Sequence, residues 1–212
     1  MRTHSEQVVL VTGSSSGIGL ATSALLARKG YLVYASMRNP DRSAELRSIL
    51  EKAKLPIQII RLDVRDESSV KEAVSQIEKE SGRIDVLVNN AGYVLAGCVE
   101  DLDIDEVRDQ FEPNFYGVIR ACGMVLPIMR RQGTGVIVNM SSIGGKIAFP
   151  GIGAYSASKF ALEGLSEAMR YELSQFGIRV VLIEPGFIKR TSARTWSWPR
   201  RPSLRYQSTQ NS

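Results

Sequence analysis

Six short apolar runs alternate with segments of helical spacing along nearly the whole chain. This alternation restricts the possible folds more than any single residue does. The runs are Val8–Val11, Leu32–Ala35, Ile57–Leu62, Val86–Val88, Gly135–Met140 and Arg179–Ile183. Between them, Ile18–Lys29 reads as a helix stopped by Gly30, and Pro40–Lys54 as a polar-faced helix with Pro56 past its end. Asp66–Ser81 places Val70, Ala73, Val74 and Ile77 on one helical face. Asp103–Arg131 reads as long and mostly helical, and Ala154–Phe176 as a further helix. Short apolar strands separated by helices imply a parallel sheet covered on both faces. Right-handed crossovers then give a doubly wound α/β fold of about six strands, whose ligands bind beyond the carboxyl ends of the strands.

A chain of 212 residues is most simply one domain with a sizeable core. Its net charge of +5 is misleading, because residues 189–212 hold six basic residues and no acid. Residues 1–188 then carry 21 bases against 22 acids, which gives no reason to expect nucleic-acid binding. We therefore divide the chain into a main domain over 1–188 and a basic, poorly ordered tail over 189–212. Cys98 and Cys122 are the only cysteines, and His4 is the only histidine. They make neither a disulfide framework nor a metal-ligand spacing, so no metal is expected. The polar start and the lack of a long apolar run make a cytoplasmic enzyme without membrane association the default reading.

Thr12-Gly13-Ser14-Ser15-Ser16-Gly17-Ile18-Gly19 links the first strand to the first helix. Such a turn lets phosphate approach backbone amides and a helix N-terminus, although a tight turn without a ligand is the plain alternative. Its TGxxxGxG spacing differs from the general GxGxxG dinucleotide fingerprint, and the lysine of a Walker A loop is missing. An acid at the end of the second strand, about 20 residues on, usually marks NAD binding. Here Ala35-Ser36-Met37-Arg38-Asn39 has no acid before Asp41. A guanidinium at Arg38 suits a 2′-phosphate, so the expected cofactor is NADP(H).

Tyr155 and Lys159 stand four residues apart and share a helix face, with Ser142 thirteen residues before the tyrosine. A tyrosine ordinarily titrates near ~10, and a neighbouring ammonium favours its phenolate. YxxxK alone is common. Its position after a strand, a serine and a Gly-rich loop is what makes it a candidate proton-transfer site.

TGSSSGIG, Asp63-Val64, NNAG, Asn114, Ser142, YSASK and Pro185-Gly186 occur in the order and spacing of the short-chain dehydrogenase/reductases. The chain resembles that family from about residue 7 to residue 188, and YSASKFALEGLSEAMRYEL is similar to its hydroxysteroid and retinol dehydrogenase branch. The resemblance implies a Rossmann-like fold and reversible hydride transfer between NADP(H) and a small alcohol or carbonyl substrate. It assigns Tyr155 as general acid/base, Lys159 as its electrostatic partner and nicotinamide-ribose ligand, and Ser142 as a hydrogen-bond partner of the substrate oxygen. Asn114 would seat a water relay to Lys159. Gly13, Ser15, Ile18 and Gly19 would line the phosphate path. Asp63 would accept from the adenine amine beside Val64, and Asn90 would lie along the adenine-side ribose. Pro185, Gly186 and Ile188 would frame the carboxamide. Family members also pair through helices, which implies a homodimer or homotetramer.

Two departures qualify this reading. Pro113 directly precedes Asn114 and removes an amide donor from the expected long helix. After PGFI, Arg190 stands where the family pattern places threonine, and TSARTWSWPRRPSLRYQSTQNS contains no acid and no strand-like run. This composition fits a disordered or frame-shifted end. The alternative function is therefore a catalytically impaired dinucleotide-binding protein without a substrate lid. An epimerase or dehydratase sharing YxxxK is a third reading, disfavoured by the glycine spacing.

Overall fold

The computed structural model describes residues 7–43, 46–48 and 55–186, together with the backbone of 196–197. Six strands form one parallel sheet: β1 (Val8–Val11), β2 (Leu32–Met37), β3 (Ile57–Arg61), β4 (Val86–Asn89), β6 (Gly135–Met140) and β7 (Ile178–Ile183). Their spatial order is β3-β2-β1-β4-β6-β7. The order reverses between β1 and β4, so a crevice opens there at the carboxyl ends. All six strands lie where the apolar runs predict them.

Three helices cover one face: α2 (Glu67–Ser81), α4 (Gly117–Gln132) and α5 (Gly153–Ser174). Val70, Ile77, Val125, Met129, Leu162 and Leu173 from these helices close a core with Leu10, Leu87 and Ile137 of the sheet. α1 (Gly17–Arg28) covers the other face, where Ala27 packs with Val9, Val11 and Val33. The alternation of sides follows from the two-residue period of a strand. Asp66 caps α2 by accepting from the amides of Ser68 and Ser69, and Gly82 ends it in the left-handed region.

Three local details differ from the sequence expectation. The segment Asp103–Arg131 is not one α-helix. α3 (Ile104–Phe111) passes into a π-helical turn, Glu112–Tyr116, before α4 begins. Pro113 has no amide to donate, and the wider turn relieves the clash of its ring with the preceding carbonyls. Within the expected helix Pro40–Lys54, the described residues form a 3₁₀ turn at Pro40–Arg42 and helix over Leu46–Ser48. A small second sheet also forms, in which β5 (Val94–Leu95) pairs in parallel with β8 (Trp196–Ser197). That pairing gives strand structure to two residues of a tail expected to have none. Its remaining residues lie outside those described, as does Ile188. Among the described residues, no helix is long and apolar enough to cross a membrane.

Candidate active site

The glycine turn is built against the loop that follows β4. Thr12 Oγ1 accepts from the amides of Asn90 at 3.0 Å and Ala91 at 3.1 Å. The Asn90 side-chain amide donates to the carbonyls of Thr12 at 2.9 Å and Gly13 at 3.0 Å. Gly13 has φ +69, and a Cβ there would lie 2.8 Å from Ala91 Cα. A Cβ on Gly19 would collide with Asn90 Nδ2 and Gly13 O, so both positions require glycine. Asn90 thus braces the turn, a contact that the sequence motif does not reveal.

The first turn of α1 has no acidic residue, and Ser16 makes no side-chain capping bond to it. No atom lies within 4 Å of a Cβ placed on Gly17. The start of a helix, with Gly17 exposed and open space beside it, is chemically suited to a pyrophosphate. The residues present therefore fit a dinucleotide cofactor. Ser15 and Ile18 lie in this turn and the helix start, as the motif requires.

Beyond β2 and β3 stand three charged groups. Arg38 is exposed at the end of β2. Arg65 grips Asp63, with Nε 3.0 Å from Oδ1 and a terminal nitrogen 2.6 Å from Oδ2. These hydrogen bonds hold the Asp63 carboxyl below its ordinary range, with Arg38 adding a weaker electrostatic contribution. Val64, next in the chain, is buried against Gly117. The carboxylate retains lone pairs for another donor.

Ser142, Tyr155 and Lys159 come together beyond β6. Ser142 Oγ accepts from the Gly144 amide at 3.1 Å, which leaves its O–H to donate elsewhere. A Cβ on Gly144 would lie 3.2 Å from Tyr155 Cε1 and 3.5 Å from Ser142 Oγ, so this glycine sits between the two hydroxyl residues. Lys159 is buried, donates to the Met140 carbonyl at 2.7 Å, and holds Nζ 5.8 Å from the Tyr155 ring centre. Pro185 supports the same turn, because its carbonyl accepts from the Ile143 amide at 3.0 Å. Gly186 is exposed beside it.

Asn114 is buried in the π-helical turn. Its Oδ1 accepts from the Tyr93 amide, and its Nδ2 donates to the Tyr93 carbonyl and to Ser158 Oγ, each at 3.1 Å. It therefore ties the loop after β4 to the helix carrying Tyr155. Beneath this lies a buried polar chain absent from the motif reading. Asn89 Nδ2 donates to Asn139 Oδ1 at 2.9 Å, and Asn139 Nδ2 donates to Ser166 Oγ at 2.8 Å. Asn89 and Asn139 are register partners in β4 and β6, so the chain ties both strands to α5. Asn89 just after one apolar run and Asn139 inside another were the available signal.

A parallel sheet, a glycine turn at its switch point and a Ser-Tyr-Lys group at the same edge together form one candidate site. The chain belongs to the short-chain dehydrogenase family, whose model matches residues 7–201. It is 43% identical over 180 residues to a 3-ketodihydrosphingosine reductase of Bacteroides thetaiotaomicron, covering 85% of this chain and 63% of that protein. It is 40% identical over 184 residues to human retinol dehydrogenase 8, covering 85% of this chain and 58% of that one. A crystal structure of a short-chain dehydrogenase from Streptomyces avermitilis superposes with a TM-score of 0.87 at 35% identity, covering 95% of this chain and 74% of its own. A gluconate 5-dehydrogenase from Burkholderia cenocepacia, solved with NADP and tartrate, gives 0.82 at 28% identity, covering 89% and 77%. The chain spans less than two thirds of the length of these two curated relatives.

Proposed function

We propose that this chain catalyses reversible hydride transfer between NADP(H) and an alcohol or carbonyl substrate, with Tyr155 as general acid/base. The observation that carries this reading is the convergence of Ser142, Tyr155 and Lys159 around Gly144 at the carboxyl edge of the sheet. A bound nicotinamide dinucleotide supplies the hydride. The Ser142 hydroxyl orients the substrate oxygen, and the Tyr155 hydroxyl exchanges a proton with it. The Lys159 charge favours the phenolate. Asn114 positions the helix that carries Tyr155 through Ser158.

The α1 N-terminus receives the pyrophosphate, with Gly13, Ser15, Ile18 and Gly19 shaping the approach. Asp63 and Val64 flank the adenine, while Asn90 holds the glycine turn. Pro185 and Gly186 border the nicotinamide end. Arg38 receives a 2′-phosphate; its exposure after β2 supports NADP(H) over NAD(H). Two copies pair through α5, where Ala157, Gly164 and Ala168 are exposed.

The test is single-turnover oxidation of bound NADPH by a reactive ketone. Wild type turns over, while Tyr155→Phe binds NADPH and loses at least about a hundredfold in rate. Arg38→Asp weakens NADPH more than NADH. Turnover by Tyr155→Phe at the wild-type rate excludes this mechanism. Binding without turnover in wild type supports the impaired dinucleotide-binding protein instead, and equal affinity for NADPH and NADH excludes the cofactor assignment.

A further inference from the structure

Lys146 and Glu163 take no part in the chemistry above, yet they join the two halves of the site. Glu163 lies one helical turn beyond Lys159 on α5, and its side chain is only 8% exposed. Its carboxylate meets Lys146 Nζ at 2.9 Å. Lys146 follows directly on the Ser142–Gly145 turn, and its Nζ also lies 3.4 Å from Glu184, the residue before Pro185-Gly186. Backbone bonds from the Ser141 amide to the Ile183 carbonyl at 2.8 Å and from the Ile143 amide to the Pro185 carbonyl at 3.0 Å, with the Lys159 bond to the Met140 carbonyl, join the same segments near their bases, and the Lys146 pair joins them farther along the turn. Gly145 makes the approach possible: a Cβ there would lie 2.8 Å from Ser141 Oγ and 3.2 Å from Glu163 Cγ. Glu163 is buried while Lys146 is half exposed, so removing the Lys146 ammonium leaves a buried carboxylate without its cation. The hydrogen bond that Lys146 donates to Glu163 raises the ammonium above its ordinary range.

We infer that Lys146 and Glu163 are positioning residues, a clamp that holds the Ser142 turn against the Tyr155 helix and, through Glu184, against the loop after β7. The clamp rests on the proposed function for its effect on rate, but its effect on the turn is independent of turnover. Opening it lets Ser142 drift from the substrate oxygen. Misplacement of a reacting group by about 1 Å costs on the order of a hundredfold in rate.

The experiment compares wild type with Glu163→Gln, Lys146→Met, Lys146→Arg and the double variant Lys146→Met/Glu163→Gln. Three readings are taken: kcat and KM, NADPH affinity, and amide hydrogen exchange over residues 143–147. Glu163→Gln and Lys146→Met are expected to lower kcat at least about tenfold with NADPH affinity unchanged. Both should speed exchange at the Gly144, Gly145 and Lys146 amides. The double variant should be no slower than the worse single one, and Lys146→Arg should retain activity. Lys146 is half exposed, so its substitution tests the clamp even if Glu163→Gln does not fold. Unchanged exchange and unchanged kcat in Lys146→Met overturn the clamp. A thermal shift with normal kcat in the folded fraction reduces the pair to a stabilising contact and overturns it as well. If wild type shows no turnover, the proposed function fails, and hydrogen exchange alone decides the clamp.

Discussion

Asp63 shows how a single residue can answer a motif and still depart from its simplest reading. The proposed role is a carboxylate that accepts from adenine, whereas the folded chain presents one already gripped by Arg65. Two residues of separation bring them together because the chain turns at Val64–Arg65 between β3 and α2. Removing the guanidinium in Arg65→Met should raise the Asp63 titration midpoint toward the ordinary aspartate value near ~3.9. The sign follows from the depressed folded value. The contribution to stability is present above the unfolded value and is lost as pH falls through the folded one. Arg65→Met therefore loses less stability than wild type across that acid window. Carbon-13 NMR of the Asp63 carboxyl measures the midpoint, and an unmoved midpoint would show that Arg65 does not set it. Arg65 is about half exposed, so the energetic share is small. Asn90 differs in another way: its type and place were legible in NNAG, but its role as a brace depends on a turn 77 residues away.

At the scale of elements, the π-helical turn is the main departure from a regular reading. Pro113 could be read from the sequence as a break, but not as the particular one formed. The choice of a wider turn over a kink or a helix end depends on Asn114 reaching Tyr93 and Ser158 together. Asn114→Ala should destabilise the fold by about 2–3 kcal/mol, because it leaves buried partners unpaired. Denaturant midpoints measure this, and a loss below about 0.5 kcal/mol would contradict the bracing role. Pro113→Ala should return well under the ~3 kcal/mol that a mid-helix proline costs, since the turn already accommodates the ring. A gain of that full size would reveal strain in the turn. α5 was legible as a helix from its spacing. Its depth against the sheet was not, because Ser158, Lys159 and Ser166 are buried polar residues on what looks like a solvated pattern. Each is admitted by a hydrogen bond to a distant or local carbonyl or side chain.

For the whole molecule, the two faces of the sheet are covered unequally among the described residues. The α2–α4–α5 face is closed, with Ile137 fully buried. On the opposite face of β7, Val181 and Ile183 remain 36% and 42% exposed. Ile137→Ala should therefore cost about 2–5 kcal/mol, while Val181→Thr should stay within about 0.5 kcal/mol. Chemical denaturation of both variants checks the contrast, and equal losses would mean that Val181 is covered in solution. The sequence by itself determined the strand positions, their parallel arrangement and the placement of the glycine turn and YxxxK at one edge. These are carried by local periodicity and by residues a few positions apart, which physical chemistry reads without the fold. Only the tertiary structure decided that Asn90 braces Gly13, that Asn114 links Tyr93 to Ser158, and that Lys146 reaches both Glu163 and Glu184. Such partners are distant in sequence and meet only after the sheet order and helix depth are set by burial. Their hydrogen bonds and charges then acquire the geometry on which the proposed proton-transfer site depends.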